Sequence, residues 1–149
     1  MIRLARVDDI PLILDLAGKF HKGSQYERVL PLDTERIAHY VRGLIENADG
    51  CVLLAEMILG KLDGMMGLLK HENWVSGEVV VAELFWWVED KNEGIGGLML
   101  REAEECAKEA GAAAIVMIVP ADSAWLAGAL ERRGYAFVEG SYMKRLTCR

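Results

Sequence analysis

Cysteine, proline and histidine are scarce, each occurring three times in 149 residues. Cys51, Cys106 and Cys148 are odd in number and far apart, with no C-x-x-C pair. That spacing argues against a disulfide framework or a zinc site, and the three read as free thiols in a reducing compartment. His21, His39 and His71 are equally dispersed, so no metal centre is expected. Basic residues also fall short: 17 Lys and Arg stand against 23 Asp and Glu, for a net charge of −6. A phosphate backbone is held by clustered cations, so no nucleic-acid partner is expected. The longest apolar run, Ala112 to Val119, is too short to span a bilayer. Asp8, Asp9 and Asp15 interrupt what could have been a signal-peptide core. These absences point to the cytoplasm and to no membrane partner.

What is present is globular. Hydrophobic residues make up 52% of the chain, and charges run along all of it without a low-complexity tract, linker or repeat. One domain over residues 1–149 is the expected organisation, long enough to bury a core. Ile2 to Arg6 reads as an opening strand. Asp8 or Asp9 is placed to cap a first helix with Pro11 in its first turn and Ile10, Ile13, Leu14, Ala17 and Phe20 as its buried stripe. Asp33 caps a second helix along Ile37, Val41, Leu44 and Ile45, which Asp49-Gly50 ends. Cys51 to Met57 and Leu62 to Lys70 read as strands about a turn at Gly60. The β-branched and aromatic run VVVAELFWWV, Val79 to Val88, is the clearest strand of all.

A helix from about Gly96 to Ala110 follows, its apolar face on Met99, Ala103, Cys106 and Ala110. Ala113 to Val119 reads as a buried strand, parallel to the previous one because a helix connects them. Ser123 caps a short helix to Arg133, and Tyr135 to Glu139 with Tyr142 to Leu146 reads as a closing hairpin about Gly140. The order β-α-α-β-β-β-α-β-α-β-β predicts an α/β domain, an α+β mixed sheet with helices on both faces.

The stretch richest in chemistry is WWVEDKNEGIGGLMLREAE, residues 86–104. A strand ends at Val88, and Gly94-Ile95-Gly96-Gly97 opens the next helix. Bare glycines let backbone N–H groups approach an anion, and the helix N-terminus adds partial positive charge. A pyrophosphate fits such a turn. A Walker loop is excluded because Gly-Lys-Ser/Thr occurs nowhere. A dinucleotide fingerprint fails because Met99 stands at its third glycine and Val119 at its acid.

The remaining pattern, Gly-x-Gly followed by a Leu-rich helix, resembles the acetyl-CoA loop of the GNAT family of N-acetyltransferases. ARVDDIPLILDLA, CVLLAE with its hairpin, and LERRGYAFVEGSYMKRL resemble further GNAT landmarks in the family's order, so the likeness covers nearly the whole chain. It implies a GNAT-like acyl-CoA N-acyltransferase fold: a mostly antiparallel sheet with a parallel pair at the cofactor cleft. Acetyl-CoA, as co-substrate, would lie in a V-shaped gap between the strands ending at Val88 and Val119. Its pantetheine arm would pair with backbone near Trp87 and Val88, and its pyrophosphate would meet Gly94, Ile95, Gly96 and Gly97, with Lys91 as a phosphate contact. An amine of a small molecule or a protein would attack the thioester directly, with no covalent enzyme intermediate. The chain departs from the family at three places. The turn before Gly94 is short and has Asp90 in place of the common Pro. Lys91 is its only cation, beside Glu89, Asp90 and Glu93. Leu130 replaces the Tyr four residues before the Gly of RRGY.

Glu83 is the foremost catalytic candidate, an acid inside an apolar strand and costly to bury unless paired or functional. As a base it would take the proton of the acceptor ammonium; the alternative has it facing solvent or paired with a cation. Tyr142 in the last hairpin would supply the missing acid, or is ordinary strand packing. Trp86 and Trp87, being neighbours, face opposite ways, so at least one belongs to the core. Trp125 reads as packing, and His21 and Tyr26 fall in a loop that in this family shapes the acceptor site. Two functions follow: an acetyl-CoA-dependent N-acetyltransferase, or a GNAT-fold binding module that has lost catalysis. Neither the acceptor nor a homodimer through sheet edges or helices can be read from the residues.

Overall fold

The computed structural model describes residues 1–57, 60–89 and 94–148. Five strands form one sheet in sequence order: β1 (Ile2–Leu4), β2 (Gly50–Glu56), β3 (Leu62–Glu72), β4 (Val79–Val88) and β5 (Ala114–Val116). The first four are antiparallel neighbours, and β5 runs parallel to β4. The connection between that last pair is α3 (Ile95–Glu109), as a parallel pair requires. The other helices are α1 (Ile10–His21), α2 (Thr34–Glu46) and α4 (Ala124–Arg132). Among the described residues no helix is long and apolar enough to cross a membrane.

The sheet is covered on both faces. Ile10, Ile13, Leu16 and Ala17 of α1 and Val41 and Leu44 of α2 pack with Val52, Leu54 and Met65 in one core. Ile95, Met99, Ala103 and Ala107 of α3 pack with Leu53, Met66, Leu68 and Val81 in a second. Leu53 and Leu54 thus serve opposite cores, as strand alternation dictates. A third, small cluster joins Leu100 to Leu126 and Leu130 of α4. Leu130 therefore has a packing role, 5% exposed, where the family pattern has Tyr.

Three expectations are corrected. Asp9 does not cap α1 with its side chain. Its carboxylate accepts two hydrogen bonds from Arg3, both at 2.8 Å, and the Arg6 N–H at 2.7 Å, which ties β1 to the turn before α1. The strand expected over Ala113 to Val119 is cut to Ala114–Val116 and is not buried: Val116 is 40% exposed, because β4 is the only described neighbour of β5. The expected closing hairpin is absent, and no strand is assigned from Tyr135 to Leu146. Instead Tyr135 binds Glu104 of α3, while Arg145 donates to the Val29 carbonyl at 3.2 Å, so the segment crosses from the α3 face to the loop after α1. Asp33, by contrast, caps α2 by accepting the Arg36 N–H at 3.0 Å.

Candidate active site

The site begins with an irregularity in β4. Gly67 of β3 pairs with Phe85 and Leu68 pairs with Glu83, so Leu84 has no partner and forms a bulge. The ring of Phe85 occupies the space where a Cβ on residue 67 would stand, which fixes glycine there. The extra residue changes which peptide groups face which neighbour. Before the bulge, the Ala113 N–H donates to Val79 O at 2.8 Å, so the peptides of Val79, Val81 and Glu83 face β5. After it, the Glu89 N–H donates to Asp63 O at 2.7 Å, which makes Met65 and Trp87 a hydrogen-bonded pair by the two-residue repeat. Trp87 therefore turns its peptide toward β3, while Trp86 and Val88 turn theirs toward the β5 side. This corrects one sequence expectation: of the two backbones assigned to a bound pantetheine arm, Val88 is free to serve and Trp87 is not.

The parallel ladder between β4 and β5 covers only three pairs, Val80 with Ala114 to Ala82 with Val116. Beyond them the strands separate. Glu83 is the first residue past the last pair, and its Oε2 accepts the Ile118 N–H at 2.8 Å. It is 4% exposed. Burial raises its pKa to about 7 from an ordinary 4.5, and the hydrogen bond from Ile118 offsets only part of that. No cation neutralises it: among the described residues it enters no ion pair. Among the described residues Glu83 thus neither faces solvent nor pairs with a cation.

The glycine turn closes the end of the gap. Gly94 is left-handed, with φ of 73°, and no side chain caps α3. Positive φ explains glycine at that position. It does not explain the next two. A Cβ on Gly96 would meet Trp86 Cζ2 at an ordinary 3.5 Å, and one on Gly97 would meet nothing within 4 Å. The folded chain alone thus has room for side chains where the sequence has none. Trp86 packs between the α3 core and the α4 cluster, and its indole N–H is buried without an acceptor.

No family model matches this chain, and no curated protein sequence does. Solved structures do. A ribosomal-protein-alanine N-acetyltransferase from Brucella melitensis is 17% identical with a TM-score of 0.73, over 98% of this chain and 99% of that one. The chain has the GNAT acetyltransferase fold. An aminoglycoside antibiotic 6'-N-acetyltransferase from Acinetobacter baumannii superposes over 100% of this chain and 99% of its own, at 16% identity and a TM-score of 0.75. A GNAT family acetyltransferase from Staphylococcus aureus does so over 98% of both chains, at 17% identity and 0.72. Each likeness covers 98% or more of this chain.

Within that GNAT frame, Glu83, Trp86 and Val88 lie past the last β4–β5 pair, and Gly94 to Gly97 lead into α3. Lys91, with Asp90 and Glu93, lies outside the described residues. Glu89 is drawn away from the turn by Lys19, whose Nζ donates to its Oε1 at 2.6 Å. Trp87 belongs to the opposite core, edge-on to Phe20 with ring centroids 6.5 Å apart. Tyr26 continues that stack, 6.1 Å from Phe20, and His21 Nε2 bonds the Leu30 carbonyl. Tyr142 is fully exposed and shares no hydrogen bond with Glu83, so the structure does not bring the two expected catalytic groups together.

Sequence reasoning missed the Ile118 N–H and a triad on the α3 side. Tyr135 Oη donates to Glu104 Oε1 at 2.9 Å, and Arg133 donates to Oε2 at 2.8 Å. Burial works to raise the Glu104 pKa, but the bonds from Arg133 and Tyr135 outweigh it and hold the carboxyl below its usual range. Burial and the Glu104 contact push the Tyr135 phenol above its own. Residues about 30 apart in sequence carry no local signal of such pairing.

Proposed function

We propose that the chain is an N-acetyltransferase that moves an acetyl group from acetyl-CoA to an amine of a small molecule or a protein. The observation that carries this is Glu83, a buried acid with no cationic partner among the described residues, at the point where the β4–β5 pairing ends. A base with a pKa of about 7 is well matched to neutral pH, being part ionised and able to take a proton from an alkylammonium. The Ile118 N–H holds the carboxylate by one oxygen, which leaves the other to receive that proton directly or through water.

The residues present fit acetyl-CoA. The bare Gly96 and Gly97 at an uncapped helix start suit close approach of a pyrophosphate. The outward peptides of Trp86 and Val88 would take the hydrogen bonds of an extended arm. Bound there, acetyl-CoA supplies an activated acyl group with a thiolate leaving group of low enough basicity to depart unaided. The protein then has three tasks: to hold the arm, to exclude water with Trp86, and to accept the proton at Glu83.

One observation favours a second reading, a binding module that keeps the fold without the chemistry. No phenol stands ready as acid, since Tyr142 lies in solvent and Tyr135 is bound to Glu104. Calorimetric titration with acetyl-CoA, followed by turnover on a panel of amines, separates the two. The enzyme reading expects micromolar binding, with Glu83→Gln binding equally well and turning over roughly a hundredfold more slowly or worse. Binding with no turnover on any amine selects the module. A folded protein that binds no acetyl-CoA excludes the enzyme.

A further inference from the structure

Cys51 opens β2 and Cys106 lies in the last half of α3, about 15 Å along the helix from Gly96. They are 55 positions apart, yet both pack against the same core and line one cavity of about 240 Å³. The two thiols are neighbours there, close enough for each to shift the other's ionisation. Both are only half-buried, so the cavity leaves them within reach of solvent. Packing accounts for one small apolar side chain on each element, but does not by itself call for a thiol on both.

We infer that Cys51 and Cys106 form a modification site, a dithiol that a low-molecular-weight disulfide oxidises to a bridge between β2 and α3. Cys106 is taken as the attacking sulfur, its thiolate favoured by the neighbouring Cys51 thiol against burial and the carboxylates of Glu102 and Glu109. Its thiolate attacks one sulfur of the small disulfide, which leaves as one thiolate and takes up a proton. A mixed disulfide remains on Cys106. Cys51 then loses its proton and attacks the Cys106 sulfur, expelling the second small thiol. The protein gives up two protons and two electrons, and one small disulfide becomes two thiols. The sulfurs have to close to about 2.0 Å for the bridge to form. Neither residue borders the gap at Glu83, so the reaction is independent of acetyl transfer.

The test uses the folded, reduced Cys148→Ser protein, because Cys148 is exposed and would react by itself. Incubation with oxidised glutathione at neutral pH should lower the intact mass by two hydrogens. Peptide mapping should join the Cys51 peptide to the Cys106 peptide, and no glutathione should remain attached. The added change Cys51→Ser should convert this product into a stable glutathione adduct on Cys106. If Cys148→Ser keeps both thiols, or accumulates glutathione adducts without a bridge, the inference is overturned, whatever the second variant does.

Discussion

Ionising Glu83 inside the protein is harder than ionising it in the unfolded chain, where its pKa is the ordinary 4.5 and not about 7. Between those values the native state binds the extra proton, so stability falls as pH rises. The contribution is fully present below about pH 4.5 and lost by the time the pH has passed through about 7. Its size is on the order of 3 kcal/mol, from a shift of about two and a half pKa units. Urea unfolding of the protein and of Glu83→Gln at about pH 5 and about pH 8 should show the wild type losing more stability across that interval. Equal losses would mean that Glu83 is ionised throughout and is no base of neutral pKa. The residue was legible in the sequence as an acid among VVVAELFWWV. Its burial was not, because facing depends on the partner strand and on an Ile118 N–H that lies 35 positions away.

At the scale of elements, the glycine turn and α3 divide their reasons for being as they are. Gly94 answers to backbone conformation, whereas among the described residues nothing stands where a Cβ on Gly97 would lie and only ordinary contacts surround one on Gly96. Gly96→Ala should therefore fold as well as the wild type or gain up to about 1 kcal/mol from the less flexible unfolded chain. Its affinity for acetyl-CoA should drop by about tenfold or more, since a methyl would stand where a phosphate needs bare N–H groups. A variant that is more stable and binds unchanged would show that the turn holds no pyrophosphate. Strands β2 to β4 and helices α1 to α3 lay within a residue or two of where period and caps put them, because each buries a regular stripe against a core of its own. The peptide direction of Trp87 could not be read that way. It follows from a bulge that only the register with β3 reveals.

Taken as a whole, the molecule is unevenly held. β2 and β3 lie between two cores and contribute Leu53, Leu54, Met65 and Met66, all 2% exposed or less. The C-terminal third has a three-residue strand, a helix with two buried side chains, and a segment in which Phe137, Val138, Tyr142 and Leu146 are at least 79% exposed. Few buried contacts mean low local stability. Hydrogen exchange followed by mass spectrometry should find residues 114–148 exchanging well before residues 52–56 and 64–68. Uniform protection would mean that the C-terminal segment is covered in solution. The sequence suggested a hairpin about Gly140 there, but a hairpin forms strands only with a sheet edge to receive it. β5 offers one three residues long.

β4 amounts to two strands of opposite phase spliced at Leu84. Carried through Leu84 without the bulge, the alternation that starts at Val79 would exchange the duties of the four residues that follow. Phe85 and Trp87 would rotate toward α3, Trp86 and Val88 toward α1, and the peptide groups now turned to the open gap would be spent on β3. The acid and the glycines would survive untouched, and the surface between them would be inverted.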